Sequence, residues 1–327
     1  MNRRYFLQLA TAGAAGATMP WLAQAQSGHW PATAIKLIVP FPPGGGTDTV
    51  SRLVAEKLTT SKKWQMIVDN RPGAAGNIGL DQAAKAKPDG YTLAMAQTSN
   101  MAINPALYPK MLFDPLKDLK PIVQVCAQPV ILVVRKESPF KTLAEFIAAA
   151  KKAPGKYTMA QAGMGTVGHL AGEMLTRAAG IEVMQVPYKG AGPGMNDLMG
   201  GQVDTYFGSA ASVMPQLQAG SIRGLATTSA KRLGALPDLP TVAEQGFPDF
   251  EATTWLGLVG PDGLPDDIVK QVNAAVVDVM ASKDVRDRLQ AEGNEPNAGT
   301  PQAFAALIRS EHDKWGKLIR EANIKIS

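Results

Sequence analysis

Two glycine-rich loops hold the residues best placed for chemistry. Residues 40–48 read PFPPGGGTD and residues 162–174 read AGMGTVGHLAGEM. In the first, the prolines end an apolar strand because they cannot donate to a ladder. The glycines allow positive φ and bring bare backbone N–H groups to the surface. Thr47 or Asp48 then caps a helix. Unpaired amides at a helix N-terminus make an anion site; a plain β–α turn is the alternative. A phosphate loop of the Walker type needs Gly-Lys-Ser/Thr at its end. Here Gly46 precedes Thr47, and the next basic residue is Arg52, which argues against a nucleoside triphosphate. In the second loop Gly163, Gly165 and Gly168 match G-x-G-x-x-G. A dinucleotide site also needs an acid about 20 residues on. That position offers Tyr188 and Lys189, which leaves only a weak case for an NADP phosphate. Two helix N-termini facing each other across a cleft would instead grip a small anion from both sides.

The remaining candidates are sparse. The three histidines (His29, His169, His312) are too few for a histidine metal site. His169 is either a capping and packing residue or a ligand contact. Cys126, the single cysteine, lies in an apolar stretch and reads as a small buried hydrophobe. Thr98, Ser99 and Asn100 follow a strand, at the edge where open α/β sheets bind ligands. PYKGAGPGMNDL and VDTYFGSAAS give two more glycine-rich turns, with Ser209 and Ser212 as polar candidates. There is no Gly-x-Ser-x-Gly elbow and no His-Glu-x-x-His. Asp48 and Asp204 have nothing to mark them as a catalytic pair, and Asp48 reads equally as helix cap and as ligand contact. So many polar, glycine-rich turns suit a recognition cleft rather than fixed catalysis. No cofactor is expected.

The elements that must position these loops alternate. IKLIVPF, WQMIVDN, YTLAMAQ, YTMAQA and VMQVPY read as strands, each followed by a helical pattern. Strands interleaved with helices imply parallel sheets covered on both faces. Two long apolar strands, IVQVCAQPVILVV and TTWLGLVGP, read as crossings between two lobes. Residues 26–125 are then the first part of lobe one and 126–253 are lobe two. Residues 254–327 return to lobe one, with the C-terminal helices packed on it. From Pro265 onward the chain is nearly all helical, and Thr300-Pro301 is a helix start. The 327 residues suit two lobes better than one core.

Residues 1–25 read as a secretory leader cut after Ala25, with Arg3-Arg4 ahead of Phe6 and Leu7 resembling a twin-arginine signal. An ordinary secretory leader is the alternative. Without those arginines, 31 basic against 28 acidic residues leave +3, too mild and scattered for nucleic acid. No later run reaches the ~18 apolar residues that cross a bilayer. A periplasmic monomer is expected.

Taken together, VPFPPGGGTDTVSRLVAEKL, VDNRPGAAGNIGLDQAAKAKPDGYTL, GMGTVGHLAGEML, VPYKGAGPGMNDLMGGQVD and ATTSAKRLGALPDLPTVAEQGFPDFE resemble the Bug family. These are the extracytoplasmic solute receptors of the tripartite tricarboxylate transporter type. The resemblance runs in order through the whole mature chain. It implies a Venus-flytrap fold of two α/β lobes, class II-like, that binds a small carboxylate and presents it to membrane permease subunits or to a sensor protein. It implicates Phe41, Gly45, Thr47 and Asp48 on one side of the cleft and Gly165, Thr166 and His169 on the other. Thr98, Asn100, Tyr188, Ala191 and Asp204 are weaker lining candidates. The chain departs from the family where YFGSAAS lacks the expected acid and amide, and where Val167 and Gly168 replace a proline-like and a polar residue. Both changes make the lobe-two side less polar. They imply a ligand with an apolar far end, such as an aromatic carboxylate, rather than citrate.

Overall fold

The computed structural model describes residues 30–325; the expected leader lies outside them. The first strands and helices are β1 (Ile35–Val39), α1 (Gly46–Lys62), β2 (Met66–Asn70), α2 (Asn77–Ala84), β3 (Thr92–Gln97), α3 (Asn104–Leu107) and β4 (Leu119–Arg135). Then come α4 (Leu143–Lys152), β5 (Thr158–Gln161), α5 (Val167–Ala179), β6 (Met184–Pro187), α6 (Ala191–Met199), β7 (Thr205–Ser209), α7 (Ala210–Gln218) and β8 (Ile222–Thr227). The chain closes with β9 (Thr253–Pro261), α8 (Asp266–Ala281), α9 (Lys283–Ala291), β10 (Glu295–Pro296) and α10 (Pro301–Ala322).

The strands form one continuous path, β2-β1-β3-β9-β4-β7-β5-β6, with β8 and β10 also pairing β4. The sheet is mixed, not purely parallel. β1 pairs β2 and β3 in parallel, and β5 pairs β6 and β7 in parallel. β4 and β9 run antiparallel to every neighbour. The reason is the excursion of the chain. β4 follows β3 through α3 and runs in the same direction, and β9 brings the chain back between them in the opposite one.

β4 is the shared member. Its residues Leu119–Pro129 pair β9, whereas Val130–Arg135 pair β7 and β8. One 17-residue strand thus serves two halves of the fold. Its apolar run buries Val123, Val125 and Cys126 in the first half and Ile131, Leu132, Val133 and Val134 in the second. Each buried aliphatic side chain contributes about 1.5–3 kcal/mol. Residues 33–325 belong to one compact unit.

α10 begins as expected. The Thr300 hydroxyl accepts from Ala303 N–H at 3.1 Å, with Pro301 in the first turn. Its early residues Phe304 and Ile308 join the core of the first half with Trp255 and Ile38. Phe304 lies across the bare Cα of Gly257, where a Cβ would come within 2.2 Å of its ring. Further along, Trp315 and Ile319 enter the cluster that holds Leu132, Phe146 and Phe207. The helix therefore runs from one core into the other. Among the described residues no helix is long and apolar enough to cross a membrane.

Candidate functional site

The first loop is held rigid by Asp48. Its carboxylate accepts Gly44 N–H, Arg52 Nε and Asn70 Nδ2, each at 2.9 Å. Asn70 Nδ2 also reaches the Phe41 carbonyl at 3.0 Å. Burial by itself would raise the Asp48 carboxyl. The Arg52 guanidinium, the Gly44 amide and the Asn70 amide outweigh it and hold the group below its ordinary value of 3.8. Gly45, not Thr47 or Asp48, is the N-cap, and it has no side chain to cap with. The amides of Gly46 and Thr47 have no hydrogen-bond partner among the described residues. The Thr47 hydroxyl donates to Gln97 Oε1 at 2.9 Å, and Gln97 Nε2 donates to Ser99 Oγ at 2.9 Å.

The second loop leads into α5. Thr166 is its N-cap and accepts His169 N–H at 3.3 Å, while its hydroxyl donates to Gly163 O at 2.7 Å. His169 Nδ1 accepts Gly165 N–H at 3.3 Å. Burial pushes the imidazole down to about 4, so it is neutral at ordinary pH. Gly165 needs its glycine, with φ +76° and its Cα packed on the Asn104 amide. Gly190 caps α6 at φ 118°. Ser209 caps α7, and its hydroxyl donates to Ser212 Oγ at 3.0 Å.

These four helix starts converge on one cavity of about 70 Å³. Gly46 and Thr47 come from α1, Val167 and Gly168 from α5, Ala191 from α6, and Ser209 and Ser212 from the start of α7. Gln97, Gln128 and Thr254 complete the polar lining, and Phe41, Val130, Tyr206 and Phe207 supply apolar wall. None of the lining side chains is charged. An anion here is met by helix N-termini, each worth about 0.3–1 kcal/mol and more when partly buried, and by neutral donors. The two halves touch through bare glycines. A Cβ on Gly46 would sit 2.6 Å from Gln128 Oε1 and 2.7 Å from Ser209 Oγ. One on Gly190 would sit 3.0 Å from Pro42 Cγ. Among the described residues no group of three His, Cys, Asp or Glu side chains could hold a metal ion.

Of the residues expected from sequence, Phe41, Gly45, Thr47, Thr166 and Ala191 line this cavity, and Tyr188 lines a larger chamber outside it. The other six lie behind the wall. Asp48 braces its loop and Gly165 shapes its own. His169 holds the Gly165 amide. Thr98 accepts Trp255 N–H at 2.9 Å, fixing β9 against the end of β3. Asn100 accepts Gln97 N–H at 3.0 Å. Asp204 accepts Thr158 N–H at 2.8 Å, at the N-terminal edge of β5 and β7, whereas the cavity forms at their C-terminal ends.

Sequence reasoning missed Gln97, Gln128 and Thr254. Each is a polar residue inside or at the end of an apolar strand, and that mismatch was the available signal. Gln128 is held by Asn294, whose Oδ1 accepts its Nε2 at 2.7 Å.

Comparison with known proteins assigns this arrangement. Residues 50–324 match the family model described as the tripartite tricarboxylate transporter family receptor. The structure is similar to that of the periplasmic binding protein BugD, with a TM-score of 0.86, 33% identity, and coverage of 90% of this chain and 99% of that one. It is similar to Rpa4515 of R. palustris with adipate: TM-score 0.88, 35% identity, 90% of this chain and 99% of that one. It is also similar to MatC (Rpa3494) of Rhodopseudomonas palustris with bound malate: TM-score 0.83, 32% identity, 88% of this chain and 99% of that one. The matching family model is of a receptor, and BugD is a periplasmic binding protein. The chain belongs to the tripartite tricarboxylate transporter receptor family, the Bug-type solute receptors.

Proposed function

We propose that this protein is an exported receptor that captures a small carboxylate in the cavity between its two halves and delivers it to the permease subunits of a tripartite tricarboxylate-type transporter. The lobes would be residues 26–125 with 254–327, and residues 126–253. The leader over residues 1–25, read as twin-arginine-like, would place the mature chain in the periplasm. One observation carries the reading: four helix N-termini meet in a cavity with no charged side chain in its lining. The adipate and malate named with two relatives support a carboxylate. Binding shifts the balance between open and closed forms by the ligand's preference for the closed one.

The apolar wall of Phe41, Val130 and Phe207 favours a partly apolar carboxylate, including an aromatic one, over citrate. A tricarboxylate would bury three negative charges where no cation meets them, and unpaired buried charges are costly. The test is a thermal-shift screen over mono-, di-, tri- and aromatic carboxylates, because a ligand that binds only the folded state raises its melting temperature. Calorimetry on the hits then ranks them. Citrate binding far more tightly than benzoate-type acids would refute the apolar reading. No stabilisation by any carboxylate would refute the receptor function.

A further inference from the structure

Tyr206 lines the inner cavity and is fully buried. Its ring belongs to the apolar wall, but its hydroxyl has no hydrogen-bond partner among the described residues. Two glycines fix where that hydroxyl goes. A Cβ on Gly208 would come within 2.4 Å of Tyr206 Cε1, and one on Gly194 within 3.1 Å of Cε2. The two ring carbons that flank the phenol carbon are thus wedged between the end of β7 and α6. The hydroxyl points on from there toward the start of α7, where Ser212 lies beside it. Ser212 is already committed, because its Oγ donates to the Ser209 carbonyl at 2.8 Å and accepts from Ser209 Oγ at 3.0 Å.

A buried hydroxyl without a partner is costly, because it has given up water and gained nothing in return. The packing of the ring does not need it. Tyr206 sits in a cluster with Met195, Leu198 and Val213, and a phenylalanine would fill the same space at no such cost. Tyr188 shows the contrast. It packs against the other side of Gly194, and its hydroxyl donates to Asp197 Oδ2 at 2.6 Å. Burial pushes the Tyr206 phenol up, with the Ser212 hydroxyl acting the other way, so the group stays protonated and is a donor. An orphaned buried donor at a cavity wall calls for a partner from outside the protein.

We infer that Tyr206 is a ligand contact whose hydroxyl donates to the anion held at the helix N-termini, and that the protein leaves it unpaired for that purpose. The inference rests on the carboxylate reading above. With no charged side chain in the lining, a neutral donor aimed at an anion is the strong kind of contact, since a charged acceptor roughly doubles the strength of a hydrogen bond. Gly208 then has a reason as well. It lies in the YFGSAAS stretch that lacks the expected acid, and only a residue without a Cβ leaves room there for the Tyr206 ring. The site exchanges a charged group for a neutral donor supplied two residues earlier.

The test is Tyr206→Phe, which removes the hydroxyl and keeps the ring. Urea unfolding of the ligand-free protein is expected to show a midpoint equal to or above that of the wild type, because the group removed has no partner to lose. Calorimetry with adipate, malate and benzoate is expected to show about tenfold or more weakening of whichever binds the wild type most tightly, the loss of a hydrogen bond to a charged group. A lower unfolding midpoint would overturn the inference, because the hydroxyl would then have a partner inside the protein. Unchanged affinity would overturn it too, while leaving the carboxylate receptor intact. If none of the three acids bound the wild-type protein, the carboxylate reading would fall and this inference with it.

Discussion

His169 offers a quantitative test of how the second loop is held. Burial lowers its imidazole from 6.5 to about 4. The unfolded chain therefore takes up a proton in a range where the folded chain does not. Stability from this residue is fully present above about pH 6.5 and is lost as pH falls toward 4. A shift of about 2.5 units corresponds to about 3 kcal/mol, a large part of the 5–15 kcal/mol typical of a domain. Protonation at Nδ1 would also remove the acceptor for Gly165 N–H and so disturb the loop that leads into α5. The carboxylate facing the ring is Glu173, 3.9 Å from Nε2. Burial raises Glu173, with Arg177 acting against it, so its own contribution runs in the opposite direction. Comparing wild type with His169→Gln separates the two, since the amide keeps an acceptor for Gly165 without titrating. The assay is urea unfolding across about pH 7 to about pH 4.5. The wild type is expected to lose up to about 3 kcal/mol more than the variant over that window. Parallel pH profiles for the two proteins would refute the reasoning.

Gly46→Ala should leave folding intact, because alanine is the better helix residue by about 1 kcal/mol. It should still weaken carboxylate binding at least tenfold (about 1.4 kcal/mol), as its Cβ would lie 2.6 Å from Gln128 Oε1 in the cavity wall; unchanged affinity by calorimetry would contradict a ligand seated against this helix start. Asp48→Ala strips three donors of their acceptor and should cost about 3 kcal/mol in denaturant unfolding. It should leave the rank order of ligands unaltered, because Asp48 lies behind the wall. The depressed Asp48 carboxyl also adds stability above its unfolded value of 3.8 that is lost as pH falls below it, which Asp48→Ala should abolish. Thr300→Ala should lower stability by about 1 kcal/mol through the lost cap on α10, with ligand affinity unchanged.

Much of the fold was legible because its signals are local. Alternating apolar runs and helical periodicity marked β1 to β3 and α5 to α7, and Thr300-Pro301 marked the start of α10. Strand direction was not legible. The antiparallel course of β4 and β9 depends on where the chain travels between residues 135 and 253, and no window of sequence contains that. The cap of α1 was misread for a related reason. Thr47 and Asp48 are good caps by type, but Asp48 finds Gly44, Arg52 and Asn70 as partners, and the last of these is brought in by β2.

The same division holds at the site. Sequence alone determined that this chain offers several glycine-rich helix starts, because those depend on residue types at fixed short spacings. The tertiary structure decided which groups face the ligand. Gln97, Gln128 and Thr254 enter the cavity from strand ends and interiors because β3, β4 and β9 lie side by side. Asp48, His169 and Asp204 turn away from it because each finds a protein partner nearby. A buried polar group must be paired, and which partner it meets is settled by packing between segments far apart in the chain.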